Sequence, residues 1–95
     1  MSVYTIAEIT IKDEDAYKEY QAKVPATIAQ YGGRYLVRGG EVMTGEGGWN
    51  PGRIVILEFP DVEALQKWAT SPEYAPVAEI RHRAADTKSF IVQGV

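Results

Sequence analysis

Residues Val3 to Lys12 read VYTIAEITIK, with Val3, Thr5, Ala7, Ile9 and Ile11 on one face of an extended chain and Tyr4, Ile6, Glu8 and Thr10 on the other. Both faces are partly apolar, which predicts a strand covered on both sides. Asp13 follows as an N-cap, with Glu14 and Asp15 in the first turn, where the helix dipole favours negative charge. Tyr17, Tyr20, Val24, Ile28 and Tyr31 then recur at spacings of three and four, the stripe of an amphipathic helix. Pro25 lies inside the stripe and removes a backbone donor, so a bend or restart is expected there, and Gly32 and Gly33 end the helix. Arg34 to about Glu46 and Arg53 to Phe59 read as a hairpin joined through Gly47, Gly48, Trp49, Asn50, Pro51 and Gly52, with a bulge expected at Gly39 and Gly40. Asp61 starts a second helix carrying Val62, Leu65, Trp68 and Ala69. Ser71 and Pro72 read as the cap and first residue of a third segment to about Ala84, and Lys88 to Val95 closes the chain as a strand.

The order β-α-β-β-α-β is that of the ferredoxin-like split motif, an α+β fold with one four-stranded antiparallel sheet. Its first and third strands are central, and both helices lie on one face. The other face would carry Tyr4, Ile6 and Ile56. Such an apolar face is too large to leave wet, so a second copy of the chain is expected to cover it, giving a C₂ homodimer.

Composition narrows the function classes. The chain has 95 residues, 45% hydrophobic and 24% charged, consistent with a single domain over residues 1–95. Net charge is −3 and no basic stripe is present, which argues against nucleic acid as a partner. The longest wholly aliphatic run is Ile54 to Leu57, far below the roughly 20 residues that span a bilayer, so no membrane partner is expected. Met1 to Lys12 lacks the pattern of a secretory leader, and the expectation is a cytoplasmic protein. Zero Cys removes disulfides, thiolate nucleophiles and thiolate metal sites together.

The pattern YTIAEITIKDEDAYKEY, then AQYGGRYLVRGGE, RIVILEFPD and SPEYAPVAEIRHRAA, closely resembles the uncharacterised "domain of unknown function 1330" family of the dimeric α/β-barrel superfamily, from about Tyr4 to Val95. The resemblance implies two ferredoxin-like sheets facing each other in a homodimer, with a cleft between helices and sheet that holds a small organic ligand in many relatives. Those relatives include cofactor-independent monooxygenases, lactone isomerases and haem enzymes. The family has no established reaction, so the resemblance implies fold and assembly, and chemistry only by analogy.

Candidate chemistry is sparse. His82 is the only imidazole, flanked by Arg81 and Arg83, which excludes His-pair metal sites within one chain and makes it a solvent-facing or packing residue; no metal or other cofactor is expected. Asp13 and Asp15 begin like a calcium loop, but Lys18 and Val24 stand where Gly and Glu are needed. Gly45, Gly47 and Gly48 lack the GK[ST] of a phosphate loop. Glu8, Arg38 and Glu58 are more informative, because charges are seldom placed in central strands unless paired. A hairpin turning near Gly48 sets Arg38 opposite Glu58. These three are either a structural ion-pair set or the polar lining of a cleft, with Glu58 or Glu8 as general base and Arg38 as anion stabiliser. Tyr20 and Trp68 are core or cleft walls. Tyr74 and Arg81, seven apart on one helical face, could hold a substrate carboxylate unless Arg81 pairs with Glu73 or Glu79. Two functions follow: a metabolite-binding protein, or a cofactor-independent isomerase, hydrolase or monooxygenase acting on a small aromatic or carboxylated substrate.

Overall fold

The computed structural model describes residues 1–95. Its elements are β1 (Val3–Ile11), α1 (Glu14–Gln30), β2 (Arg34–Arg38), β3 (Arg53–Phe59), α2 (Val62–Ala69), α3 (Ala75–Ala84) and β4 (Ala85–Gln93). The strands form one sheet in the order β2-β3-β1-β4, every pairing antiparallel. β1 and β3 are therefore central, as the ferredoxin-like α+β fold requires. No helix is long and apolar enough to cross a membrane.

The helix starts follow their capping residues. The Asp13 carboxylate accepts from the Ala16 N–H at 3.1 Å, and Asp61 accepts from Ala64 at 2.8 Å. α1 buries Tyr17, Tyr20, Val24, Thr27 and Ile28, and it runs uninterrupted through Pro25 instead of restarting there. Ser71 caps a turn, its Oγ accepting from the Tyr74 N–H at 3.1 Å, and regular helix begins only at Ala75. β4 starts at Ala85, immediately after α3 and earlier than the expected Lys88. The Ala84 carbonyl accepts from the N–H groups of both Lys12 and Asp13, which locks that corner and sets Ala85 opposite Ile11.

Paired residues of an antiparallel sheet share a face. On the helix side, Val3, Ile9, Leu57 and Phe59 are buried in one core with Val24, Ile28, Leu65, Trp68 and Ile80. The opposite side carries Tyr4, Ile6, Ile54 and Ile56, half-buried, and Phe90 and Val92, exposed. No element of this chain covers that side.

The hairpin register departs from the sequence expectation. β2 ends at Arg38 and not near Glu46, residues 39–52 form a broad loop, and the register shift lies between Tyr35 and Val37 instead of at Gly39 and Gly40. Arg34, not Arg38, therefore faces Glu58, while Arg38 faces Val55. Arg34 Nε meets Glu58 Oε1 at 2.5 Å, and this contact is the chief cause holding the Glu58 carboxyl below its ordinary range. A lowered carboxyl adds stability above the ordinary glutamate pKa, and that contribution is lost as pH falls through the lowered value. Arg34→Ala should move the Glu58 titration midpoint upward in carboxyl-detected NMR, and Arg38→Ala should leave it in place; a shift from Arg38→Ala alone would contradict this register.

Candidate functional site

The helix-facing side of the sheet forms a grid of rows running across the strands. One row holds Arg53, Ile9 and Thr87, the next Arg38, Val55, Ala7 and Ser89, and the third Tyr35, Leu57, Thr5 and Ile91. Ala7, Thr5 and Ser89 are small, so the sheet floor is hollow where α1, α2 and α3 cross above it. A cavity of about 380 Å³ occupies the gap, within the usual size of small-molecule sites. Its polarity is graded along the strands. Trp68 packs 5.3 Å from the ring of Phe59 and 4.1 Å from Tyr74, giving an apolar, aromatic end with Leu57 and Leu65. Arg53 and Thr87 stand at the other end, in the Ile9 row beside Tyr17, while Arg38 packs on Tyr35 and Arg81 on Tyr20 between the two ends.

Three arginines line the cleft, Arg38, Arg53 and Arg81, and no Asp or Glu does. None of the chain's four ion pairs includes any of them. Each is held by uncharged groups instead. Pro25 has no N–H, which leaves the Gln21 carbonyl without its helical partner, and the Arg38 guanidinium donates to that carbonyl at 2.9 Å. Arg38 also lies 4.7 Å from the Tyr35 ring centroid. Arg53 rests 5.5 Å from the Tyr17 ring and against Gly39, where a Cβ would overlap its guanidinium. Arg81 sits 5.9 Å from the Tyr20 ring, with a weak 3.4 Å contact to His82 Nε2.

The phenols are proton donors in this setting. Burial, reinforced by Tyr74, raises the Tyr20 pKa far above its ordinary value, and Tyr20 and Tyr74 share a hydrogen bond at 3.2 Å. Burial also pushes Tyr35 up to about 12, against the opposing pull of Arg38. The Trp68 indole N–H is satisfied by Thr27 Oγ1 at 3.1 Å, so Trp68 offers the cleft its ring and not its donor. No three His, Asp or Glu side chains converge anywhere in the chain.

Of the residues singled out from sequence, Tyr20, Trp68, Tyr74, Arg81 and Arg38 meet in this cleft. Glu8 and Glu58 do not: strand alternation puts both on the opposite sheet face, where Glu58 is held by Arg34 and Glu8 Oε2 accepts from the Gly52 N–H at 2.9 Å. Of the two competing partners for Arg81, Glu73 is engaged by the Tyr31 hydroxyl at 2.7 Å, and neither it nor Glu79 forms an ion pair with Arg81. His82 is exposed and contributes to the cleft wall. Sequence reasoning missed Arg53 and Thr87. The signal for Arg53 was available, since it shares a face with Val55 and Leu57 in an otherwise apolar strand.

This is a ferredoxin-like α+β protein with a cationic, aromatic-walled cleft between helices and sheet. The chain belongs to the family described as Domain of unknown function (DUF1330), which matches residues 2–95. A protein of unknown function from Rhodopseudomonas palustris is similar with a TM-score of 0.73 at 18% identity, over 99% of this chain and 82% of that one. SnoaB from Streptomyces nogalater, a cofactor-independent oxygenase, gives 0.73 at 14% identity over 99% and 93%. A dimeric ferredoxin-like protein of unknown function from Jannaschia sp. gives 0.72 at 14% identity over 99% and 100%. At these identities the likeness is one of fold. No curated protein matches the chain.

Pro25→Ala should return a helical partner to the Gln21 carbonyl and release Arg38. Calorimetry should show a higher melting temperature, with a gain in unfolding free energy smaller than the roughly 3 kcal/mol separating Pro from Ala in a helix interior, because the carbonyl is already hydrogen-bonded. A lower melting temperature would contradict this account of Pro25.

Proposed function

We propose that the cleft binds a small amphipathic organic anion, its apolar or aromatic body against Trp68, Tyr74 and Leu65 and its anionic group toward Arg38, Arg53 and Arg81. The observation that carries this reading is three arginines without a carboxylate partner around one cavity, in a chain whose net charge is −3. Cations held in a half-buried cleft away from the chain's own acids favour an anion brought from outside. The protein works as a homodimer in this reading, because a second copy would cover the uncovered sheet face of Tyr4, Ile6, Ile56 and Phe90.

Catalysis is the second reading, favoured by the fold shared with SnoaB. In the single chain the cleft brings no Asp or Glu to a ligand, so a Glu58 or Glu8 base has no support from it. Oxygen consumption with a bound aromatic anion would distinguish turnover from binding.

In a thermal-shift titration, 2-naphthoate should raise the melting temperature, and quench or enhance Trp fluorescence in Trp49→Phe, where Trp68 is the sole reporter. The neutral 2-naphthamide should do neither. Equal responses to acid and amide, or none to any aromatic carboxylate, would sink the anion reading. Light scattering should give twice the 10.5 kDa chain mass, as an interface of about 1,200 Å² or more would produce; a monomeric mass at micromolar concentration would reject the dimer.

A further inference from the structure

Residues 40–51 lie outside every helix and strand, and none of the chain's backbone–backbone hydrogen bonds involves them. Met43, on this segment, is 82% exposed, and Trp49 is exposed as well. Val42, Met43 and Thr44 nonetheless continue the apolar and β-branched composition of β2, which is why the sequence predicts that strand running to about Glu46. The far edge of the sheet has the matching deficit. β4 pairs with β1 through nine consecutive residues and has no neighbour on its outer side. Phe90, Ile91 and Val92 are exposed there. A long, regular, apolar edge is a template for an added strand, whereas β2, at the other edge, has five residues and is broken by its irregularity.

We propose that residues 40–51 form an arm that adds Glu41 to Thr44 as a further strand on the β4 edge of a second copy of the chain. The inference rests on the homodimer reading and specifies what the two copies exchange. The arm's own β4 is out of reach. A strand beyond β4 lies four spacings, about 19 Å, from β2, whereas Glu41, three residues past Arg38, extends about 10 Å at most. The arm's root lies on the side where the second copy packs, because the Gly52 N–H donates to Glu8 on the uncovered sheet face at 2.9 Å. Charge selects β4 over a pairing of the two arms. Glu41 and Glu46 form no ion pair, and neither does Lys88 of β4. Arm against arm would bring the acids of both copies together, whereas arm against β4 brings them to Lys88. The exchange also completes the cleft. Ser89 and Ile91 line it, and Ile91 is 59% exposed at the sheet edge, so the arm from the second copy becomes the wall beyond β4.

The chain has no cysteine, so a single one can be placed on the arm and labelled alone. Met43→Cys carrying a nitroxide is mixed in excess with isotope-labelled wild-type chain, and NMR then detects only the unmodified copy. The amides of Ser89 to Val92 in that copy should lose most of their intensity and regain it when the nitroxide is reduced. Strongest losses within residues 40–51, or along Arg34 to Arg38, would overturn the β4 assignment. Val42→Pro and Met43→Pro each remove an N–H without touching a backbone hydrogen bond of the single chain. Because strand donors alternate in direction, at least one of the two should raise the dimer dissociation constant by about tenfold or more, counted over both arms, with an unchanged circular dichroism spectrum. Unchanged dissociation constants in both variants would overturn the arm. If light scattering gives a dimer and no amide from Ser89 to Val92 broadens, this proposal falls and the homodimer stands; if the wild-type chain is a monomer, both fall.

Discussion

The two-residue alternation of a β-strand is the constraint on which this molecule depends. It sorts the sheet's charges by face. Arg53 falls on the side that meets the helices, whereas Glu8, Glu58 and Arg34 fall on the other, with Lys88 as the cross-strand neighbour of Glu8; the irregularity between Tyr35 and Val37 interrupts the alternation in β2 and turns Arg38, four residues after Arg34, to the helix side. The acids thereby find partners away from the cleft, in Arg34 and in the Gly52 backbone. The cleft is left with cations, phenols and no carboxylate. A one-residue slip of β1 or β3 would exchange the two sets and erase both the core and the site.

Local irregularities serve the same end. A proline within a helix normally costs a backbone hydrogen bond, yet here the carbonyl it frees becomes the anchor of Arg38. Gly39, at φ +72, gives the Arg53 guanidinium a surface without a Cβ. Thr27 bonds back to the Val24 carbonyl at 2.7 Å and accepts from Trp68, fixing the indole that closes the apolar end. Small residues in the middle of the floor make the hollow, and large ones at the Phe59 end seal it.

Most of the fold was legible in the chain. The capping acids Asp13 and Asp61, the Tyr17, Tyr20, Val24, Ile28 stripe and the alternation of Val3–Ile11 lead to the observed elements and to the face that stays uncovered. The hairpin register was not legible, because fourteen residues of loop between Arg38 and Arg53 impose no turn geometry and the irregularity at Leu36 has no glycine to mark it. That single error produced the Arg38–Glu58 pair; Glu8 and Glu58 were expected in the site although strand alternation already put them on the face of Ile6 and Ile56, away from the helices. The helical members, Tyr20, Trp68, Tyr74 and Arg81, depended on spacing within one element and so were placed together. Arg53 and Thr87 escaped notice because their meaning arises only when three strands are set side by side.

Because the two sheet faces alternate residue by residue, methyl NMR during a 2-naphthoate titration tests the central claim directly. The account predicts shifts for the methyls of Ala7, Val55, Leu57 and Leu65, and none for Ile6, Ile54 and Ile56. Shifts confined to Ile6, Ile54 and Ile56 would put the anion on the opposite face and contradict it.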